Sequence, residues 1–442
     1  MATRDDSPLR MPSARKTNSD NPLLFTTRIV RLFAYGSLSV VLVLYLARLG
    51  FSEIKIGLLL TLTLVGDAVI SLWLTTNADR VGRKRMLWVG AGLMIFAGIL
   101  FAVSGNFLLL LLAATIGVIS PSGYEVGPFL AIEQASLSQI TPNESRTRIF
   151  AWYTLAGSFA TAFGSLCGGG LVQLLQNAGT AALISYRVVI LGYTAFGAIL
   201  VLLFGELSPS IEPPQTIHNS QKPGLFQPKL GLYRSQAKIL RLAALFSIDA
   251  FAGGFVLQSI VAYWFFLRFN VSPGVLGGIF FGANLLAGIS ALSAAWVARR
   301  IGLVRTMVFT HLPSNVLLIL VPFMPTLPLA ILVLFLRFSI SQMDVPSRQS
   351  YTMALVEPDE RSAASGVTNI ARTIGSSLAP VLAGPLLANP LLLNAPFVIA
   401  GSLKIVYDLL IYMGFRSLKP PEESSLPPFD SPVISDAVGK EK

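Results

Sequence analysis

Twelve apolar stretches, separated by short polar segments, follow one another along this chain. A helix needs about 20 mostly apolar residues to cross the roughly 30 Å of bilayer hydrocarbon. Only 12% of the residues are charged, too few to cover a water-soluble surface. The sequence therefore predicts an all-α polytopic membrane protein with 12 transmembrane helices. The expected spans are 29–47, 54–76, 86–104, 107–131, 149–173, 187–206, 242–267, 274–298, 306–322, 327–355, 362–388 and 393–415.

A proline-rich segment divides six spans from six. Residues 207–241 contain five prolines, and proline lacks the amide hydrogen that a regular helix needs. The expected organisation follows from this break and from the polar composition of both ends. It comprises a disordered cytosolic N-tail (1–26), an N-terminal bundle (27–206), a cytosolic central loop (207–241), a C-terminal bundle (242–416) and a disordered cytosolic C-tail (417–442).

The two halves repeat each other at a fixed distance. Residues 52–57, which lead into the second span, correspond to residues 272–277, which lead into the eighth. The loop 78–82 corresponds to the loop 298–302, again 220 positions later. These matches indicate a duplicated six-helix unit, and parallel repeats of this kind are typical of transporters.

The basic residues predict the orientation of the spans. Of the 33 lysines and arginines, 24 lie in the segments that share a side with both tails, and 4 lie on the other side. Both termini are therefore expected in the cytosol. This topology also explains the net charge of +11 without a nucleic-acid partner. The plasma membrane is the favoured location, with an organellar membrane as the alternative.

The loop between spans 2 and 3 resembles the signature of the major facilitator superfamily, G-x-x-x-D-R-x-G-R-K/R. Thr75 stands where the signature begins with glycine, and Arg299 replaces the acid in the second copy. The resemblance implies two six-helix bundles around a central cavity that opens alternately to each side. It also implies a conformational switch formed by Asp79, Arg80, Gly82, Arg83 and Lys84.

The position of Asp79 predicts a latch between the halves. A helix N-terminus carries about half a positive charge. Span 11 begins on the cytosolic side, so an anionic Asp79 beside its N-terminus would hold the two halves together there. The alternative is that this charged cluster only sets the topology.

Acidic residues inside the spans are the proton-coupling candidates, because ionisable groups at this depth are costly and usually functional. Glu125 and Asp67 are the two candidates, and a structural ion pair is the alternative for Glu125. Glu125 and Glu133 are expected on one face of a continuous fourth span. Glu133 is expected at the inner end of that span, facing water.

Span 10 carries Arg337, Asp344 and Arg348. Asp344 and Arg348 are four residues apart, so we expect them to pair along one helix face. Arg337 is expected either to anchor an anion or to pair with Asp344 or Glu125. Pro346 is expected to interrupt the helix. By the same spacing argument, Lys404 and Asp408 are expected to neutralise each other.

Further polar residues within the spans are predicted to line a substrate cavity, together with Arg337, Asp344 and Arg348. They are Arg31, Tyr35, Tyr124, Asp249, Gln258, Asn284, Asn369 and Arg372.

Cofactor chemistry and catalysis are not expected. The single cysteine and the two widely separated histidines offer no metal-ligand spacing. There is no nucleotide-binding G-x-x-x-x-G-K-S/T sequence and no apparent nucleophile–base pair. We therefore expect no metal, no cofactor and no enzymatic activity, and an ion gradient or the solute's own gradient as the energy source.

These features predict a monomeric secondary active transporter of a small solute. Proton-coupled efflux, in which a drug or metabolite is exchanged for protons, is the favoured variant. The first alternative is uptake of a small organic anion or another metabolite, either uncoupled or together with protons. The alternative from another class is a membrane sensor or scaffold that transports nothing.

Overall fold

The computed structural model describes residues 17–125, 127–213, 234–356 and 360–415. Within these ranges the chain forms helices and no β-strand. The helices of the first half are α1 (Thr17–Arg48), α2 (Glu53–Val81), α3 (Arg83–Val103), α4 (Phe107–Ile116), α5 (Phe129–Ile140), α6 (Asn143–Asn177) and α7 (Ala182–Glu206). Those of the second half are α8 (Gln236–Gly254), α9 (Gln258–Phe269), α10 (Pro273–Ile301), α11 (Leu303–Leu320), α12 (Leu327–Ser341), α13 (Asp344–Ala354), α14 (Arg361–Ala388) and α15 (Ala395–Phe415).

The described helices have the lengths and surfaces of membrane spans. Eleven helical stretches are long and apolar enough to cross a bilayer, counting α8–α9 and α12–α13 as one stretch each. Large apolar side chains point outward from the bundles, including Trp73 at 59% exposure, Leu108 at 70% and Leu202 at 71%. Lipid solvates such a surface, whereas water does not. The predicted polytopic helical fold is confirmed.

The fourth span is interrupted in its middle. Its first helix ends at Ile116 and its second begins at Phe129. Between them, Gly123 and Gly127 adopt φ angles of +75° and +79°, which side chains other than glycine rarely tolerate. Pro128 lies immediately before α5. It has no amide hydrogen, so it cannot donate a hydrogen bond to a preceding helical turn. The prediction of one continuous helix over 107–131 is therefore wrong, and Glu125 lies on irregular backbone.

Spans 7 and 10 are also broken at membrane depth, at residues 255–257 and 342–343. Pro346 lies in the first turn of α13, where its missing amide costs little, so the helix breaks just before the proline. The backbone amide of Ser259 donates to the carbonyl of Pro121, which joins the break in span 7 to the irregular segment of span 4. Irregular backbone is tolerated at this depth where it lines a cavity.

Two expected boundaries need correction. Residues 17–26 were expected in the N-tail, but they form the start of α1. The carboxylate of Asp20 is buried there and accepts hydrogen bonds from the backbone amide and hydroxyl of Ser208. Residues 236–241 were expected in the central loop, but they form the first turns of α8. Residues 1–16, 214–233 and 416–442 lie outside the described part of the chain.

The two halves meet where α2 crosses α14. A Cβ atom on Gly57 would lie 2.4 Å from the carbonyl oxygen of Pro380. A Cβ atom on Gly384 would lie 2.5 Å from the carbonyl oxygen of Glu53. Such distances are far below van der Waals contact, so both positions require glycine for the helices to approach this closely.

The crossing of α6 and α10 repeats this geometry. A Cβ atom would lie 2.8 Å from the carbonyl of Ser165 if placed on Gly277, and 2.3 Å from the carbonyl of Pro273 if placed on Gly169. Gly277 and Pro273 follow Gly57 and Glu53 by 220 positions. The repeat seen in the sequence therefore produces two equivalent contacts between the halves.

These contacts lie toward one end of the bundles. We call the end that carries the α1–α2 turn the far end, and the end that carries the α2–α3 turn the near end. At the far end the hydroxyl of Tyr263 donates to Glu53 over 2.9 Å. The amide of Val381 donates to the hydroxyl of Thr61, also over 2.9 Å. Hydrogen bonds and close helix contacts thus join the halves at the far end.

Candidate functional site

A cavity of about 430 Å³ lies between the two halves. This volume falls within the range of pockets that bind small organic molecules. Helices α2, α8–α10 and α11–α15 and the irregular segment of span 4 form its walls. Its ionisable lining residues are Asp67, Tyr124, Glu125, Asp249, His311, Arg337, Asp344, Arg348, Arg372 and Lys404.

A compact ion cluster forms the wall on the first half. Arg31 is fully buried, and two of its nitrogens each lie 2.7 Å from a carboxylate oxygen of Glu133. The same guanidinium reaches both oxygens of Glu125 over 3.1 and 3.2 Å. Arg28 lies 3.0 Å from Oε1 of Glu125, the oxygen that Nη2 of Arg31 also contacts. The two arginines and two glutamates neutralise one another.

Glu133 is a structural member of this cluster. Its side chain is 0% exposed, and it accepts further hydrogen bonds from the hydroxyls of Thr27 and Tyr153. The prediction that Glu133 faces water is wrong. Glu125 is 13% exposed and lines the cavity, so it is the acid of this cluster that a solute can approach.

Two predicted cavity residues of α1 lie behind the wall. Arg31 and Tyr35 are both 0% exposed, and neither contributes to the cavity lining. Arg31 therefore affects the cavity through Glu125. Tyr35 packs near the ring of Tyr193.

The second half carries a larger cluster around Asp249 on α8. One carboxylate oxygen of Asp249 lies 2.5 Å from the ammonium of Lys404. The other lies 3.0 Å from Arg372 and 3.3 Å from Arg348. Arg348 also lies 2.8 Å from Asp344, so the predicted pair within span 10 is confirmed. Side chains from four helices thus surround the buried carboxylate of Asp249 with three cations. Charged groups inside a membrane bundle usually pair with one another in this way.

The partner of Asp408 is a histidine. Nδ1 of His311 lies 2.8 Å from Asp408, and the amide of Asn315 donates to the same carboxylate over 2.9 Å. Lys404 bonds to Asp249 instead, so the predicted neutralisation of Lys404 by Asp408 is wrong. His311 and Asn315 were missed by sequence reasoning, although two polar residues four apart in an apolar span were a usable signal.

Two charged side chains of the cavity remain outside these clusters. The formal charges within each cluster sum to zero. The second cluster has three basic residues and three aspartates, and the first has two arginines and two glutamates. Among the described residues the hydrogen-bond partners of Asp67 are neutral groups, namely the hydroxyl of Ser71, over 3.4 Å, and the backbone amide of Gly127. Asp67 thus contributes one negative charge to the cavity wall that no basic side chain of the described chain pairs with.

Arg337 on α12 is the second uncompensated charge. Its Nε atom is buried and has no hydrogen-bond partner within the described residues. Its guanidinium carbon lies 4.7 Å from the ring centroid of Phe338. Asp344 and Glu125, its two predicted partners, pair with other arginines, so the ion-pair alternative for Arg337 is not supported.

Gln258 joins the halves at the far side of the cavity. Its amide nitrogen donates to the hydroxyls of Ser39 and Ser165 over 2.8 and 3.1 Å. Its carbonyl oxygen accepts a hydrogen bond from Asn284 over 3.0 Å. Both residues were predicted to line the cavity. Gln258 does, but Asn284 lies behind it and outside the lining, so the prediction for Asn284 is wrong. Asn369 is exposed on α14 and lies outside the lining, so that prediction is wrong.

The switch residues lie in the turn between α2 and α3 at the near end. Asp79 is 66% exposed and lies 2.8 Å from Arg83. Arg83 also donates to Gln139 and to the carbonyl of Ile211, each over 2.9 Å. Gly82 adopts a φ of +115°, which explains the glycine of the motif.

Glu212 completes this arrangement by accepting hydrogen bonds from the backbone amides of Arg83 and Lys84 over 2.7 and 3.1 Å. Lys84 donates to the carbonyls of Gly205 and Leu207. The motif thereby ties the α2–α3 turn to the segment after α7, within the first half. Residues 357–359, which precede α14, lie outside the description, so the latch between Asp79 and that helix stays a prediction.

Comparison with known sequences extends the resemblance to most of the chain. The family model described as Major Facilitator Superfamily matches residues 24–380. The protein named "Uncharacterized membrane protein YJR124C" of Saccharomyces cerevisiae is 33% identical over 417 residues, which cover 89% of this chain and 93% of the yeast protein. Quinolone resistance protein NorA of Staphylococcus aureus is 24% identical over 250 residues, covering 55% of this chain and 59% of NorA.

Solved transporter structures share the fold. A bacterial homologue of the human lysosomal transporter Spinster, in an inward-facing and occupied conformation, superposes with a TM-score of 0.69 at 16% identity. The match covers 92% of this chain and 98% of that one. A D-xylose–proton symporter superposes with a TM-score of 0.67 at 13% identity, covering 89% and 97% of the two chains.

Proposed function

Since this chain belongs to the Major Facilitator Superfamily, a family of small-solute transporters, we propose that its transport cycle is coupled to protons. In such folds the two halves rock about a central site and expose it to each side in turn. The observation that carries the proposal is the position of Asp67. It is an acid of the cavity wall that no described basic side chain neutralises.

Asp67 is better suited to carry a proton than Glu125. Two arginines hold Glu125, so protonating it would leave an excess positive charge in the buried cluster. Protonation of Asp67 instead strands no paired cation, because no described basic side chain forms an ion pair with it. We therefore assign proton binding to Asp67. We assign to Glu125 the role of holding Arg28 and Arg31 in place.

Exchange is the first candidate for the direction of coupling. In this variant the solute leaves the cell as protons enter. The sequence favours it, and the similarity to a quinolone resistance protein over 55% of the chain supports it.

Co-transport of a proton with an anion is the second candidate, and one observation favours it. Asp67 and Arg337 are the two cavity charges outside the ion clusters, and they have opposite signs. A proton bound to Asp67 and an anion bound to Arg337 carry opposite charges, so the fully loaded cavity has the same net charge as the empty one. Loading either site alone would leave a net charge in a low-dielectric site, which is costly.

Orientation and location follow from the basic residues. We propose that the protein is a monomer in the plasma membrane with both termini in the cytosol. In that orientation the near end faces the cytosol, and the joined far end faces outward. The described structure then corresponds to a state that is closed on the outer side.

Solute-driven proton movement in proteoliposomes tests the proposal. The purified protein is reconstituted with a pH-sensitive dye inside the vesicles, and quinolones and aromatic sulfonates are added outside. Exchange raises the internal pH as solute enters, whereas co-transport lowers it. Asp67→Asn should abolish the pH signal. Solute counterflow that is equally fast with and without an imposed pH gradient would refute proton coupling.

A further inference from the structure

Arg337 and Ser341 present unused hydrogen-bond donors to the cavity from one face of α12. They are four residues apart, which places them one above the other on a helix. Ser341 is 4% exposed, and its hydroxyl has no partner within the described chain. Nε of Arg337 is likewise buried and unpartnered. Both residues line the cavity.

Such groups are costly to leave unsatisfied. A buried donor without a partner loses its hydration and gains nothing in return, and a charged donor loses more than a neutral one. The other basic side chains of the cavity wall have carboxylate partners. A ligand that supplies acceptor oxygens at Arg337 and Ser341 would remove this cost.

The chemistry of the two donors selects an anion. A guanidinium presents several coplanar N–H groups that match the paired oxygens of a carboxylate, sulfonate or phosphate. The neighbouring hydroxyl adds one more donor. A cationic head group would instead be repelled at this position, because Glu125 and Asp344 pair with other arginines and not with Arg337.

The apolar part of the cavity wall indicates the chemistry of the rest of the ligand. Leu64, Val261, Phe280, Leu334 and Phe338 line the same cavity. Apolar and aromatic walls bind an apolar body by excluding water from it. A bare inorganic ion would leave most of the roughly 430 Å³ unused.

We infer that the transported solute is a small organic anion, with its acidic group on Arg337 and Ser341 and its apolar body against the apolar wall. This inference rests on the proposed function only in taking the cavity as the transport site. It does not depend on proton coupling.

Ligand-induced stabilisation of the full-length protein in detergent tests the inference. Benzenesulfonate serves as the anion and benzenesulfonamide as its neutral counterpart, with inorganic sulfate as a third probe at equal ionic strength. Tryptophan fluorescence reports the midpoint of thermal unfolding. Benzenesulfonate should raise the midpoint in a saturable manner, and the other two probes should not.

Variants then locate the site. Arg337→Gln should weaken benzenesulfonate binding by about tenfold or more, because it removes a charged donor. Ser341→Ala should weaken it less. Arg268→Gln, at the end of α9 beside Phe269, serves as the control and should bind normally.

Three results would overturn the inference. They are equal stabilisation by benzenesulfonamide, equal stabilisation by sulfate, or no stabilisation of the wild-type protein by benzenesulfonate. These comparisons need only the wild-type protein, so they hold even if Arg337→Gln fails to fold. Asp67→Asn should keep anion binding while losing the proton signal, so failure of proton coupling is distinguishable from failure of the anion site.

Discussion

The ammonium of Lys404 lies 2.5 Å from Asp249 on a different helix, although Asp408 stands only one turn away on its own helix. This relationship makes Asp249 the centre of the charge network in the second half. Helices α8, α13, α14 and α15 all contribute to it. Loss of this network should therefore weaken the packing of these four helices.

We expect Asp249→Asn to destabilise the protein by about 3–5 kcal/mol, because three cations would lose their shared buried counter-ion. The midpoint of thermal unfolding in detergent measures this effect. Adding Lys404→Gln should recover part of the loss, since it removes one of the stranded charges. Glu206→Gln, at an exposed position, is the control. An unchanged midpoint in Asp249→Asn would contradict the assigned role of the network.

The two glutamates of the first half should differ in stability. Glu133→Gln should lower the unfolding midpoint more than Glu125→Gln, because Glu133 is fully buried whereas the cavity reaches Glu125. The expected cost for Glu133→Gln is again about 3–5 kcal/mol. The reverse order would show that Glu125 is the main structural partner of Arg31.

Bulk at the α6–α10 crossing should block transport. Gly169→Leu or Gly277→Leu would push the carbonyls of the facing helix away, so the far end could not close. We expect transport to fall by about tenfold or more, since overpacking costs about 1–3 kcal/mol. Membrane insertion should persist. Gly170 and Gly278 have open space beside them, and the same substitutions there are the controls. Equal effects at all four positions would contradict the model of a glycine-dependent crossing.

Asp79→Asn should impair the transport cycle without affecting insertion. Orientation follows basic residues, and the exposed Asp79–Arg83 pair contributes little to stability. Reconstituted transport rates, normalised to the amount of inserted protein, measure the effect. Wild-type rates in the variant would refute the latch between Asp79 and the start of α14.

Local sequence patterns predicted the fold well. Apolar length determines where a helix can cross lipid, and the repeat at Gly57 and Gly277 follows from duplication. Both signals are local, so one sequence suffices to read them. The broken fourth span was missed because its high apolar content outweighed the turn-forming Pro121, Gly123 and Gly127.

Partners within the site were harder to predict. Helical spacing identifies neighbours on one helix, as it did for Asp344 and Arg348. It cannot reveal which of several buried acids a long side chain will reach on another helix. Spacing assigned Asp408 to Lys404, but Lys404 pairs with Asp249 and His311 pairs with Asp408, because α8, α11 and α15 converge and convergence is a property of packing.

The two glycine crossings have a mechanical consequence. At each of them backbone touches backbone, with few side chains interposed, so the helices can pivot there without repacking rotamers. We therefore expect the halves to rotate about the two crossings, so that small rotations there become large displacements at the near end, several helical turns away. Mutations that stiffen these pivots should slow turnover while solute affinity stays the same.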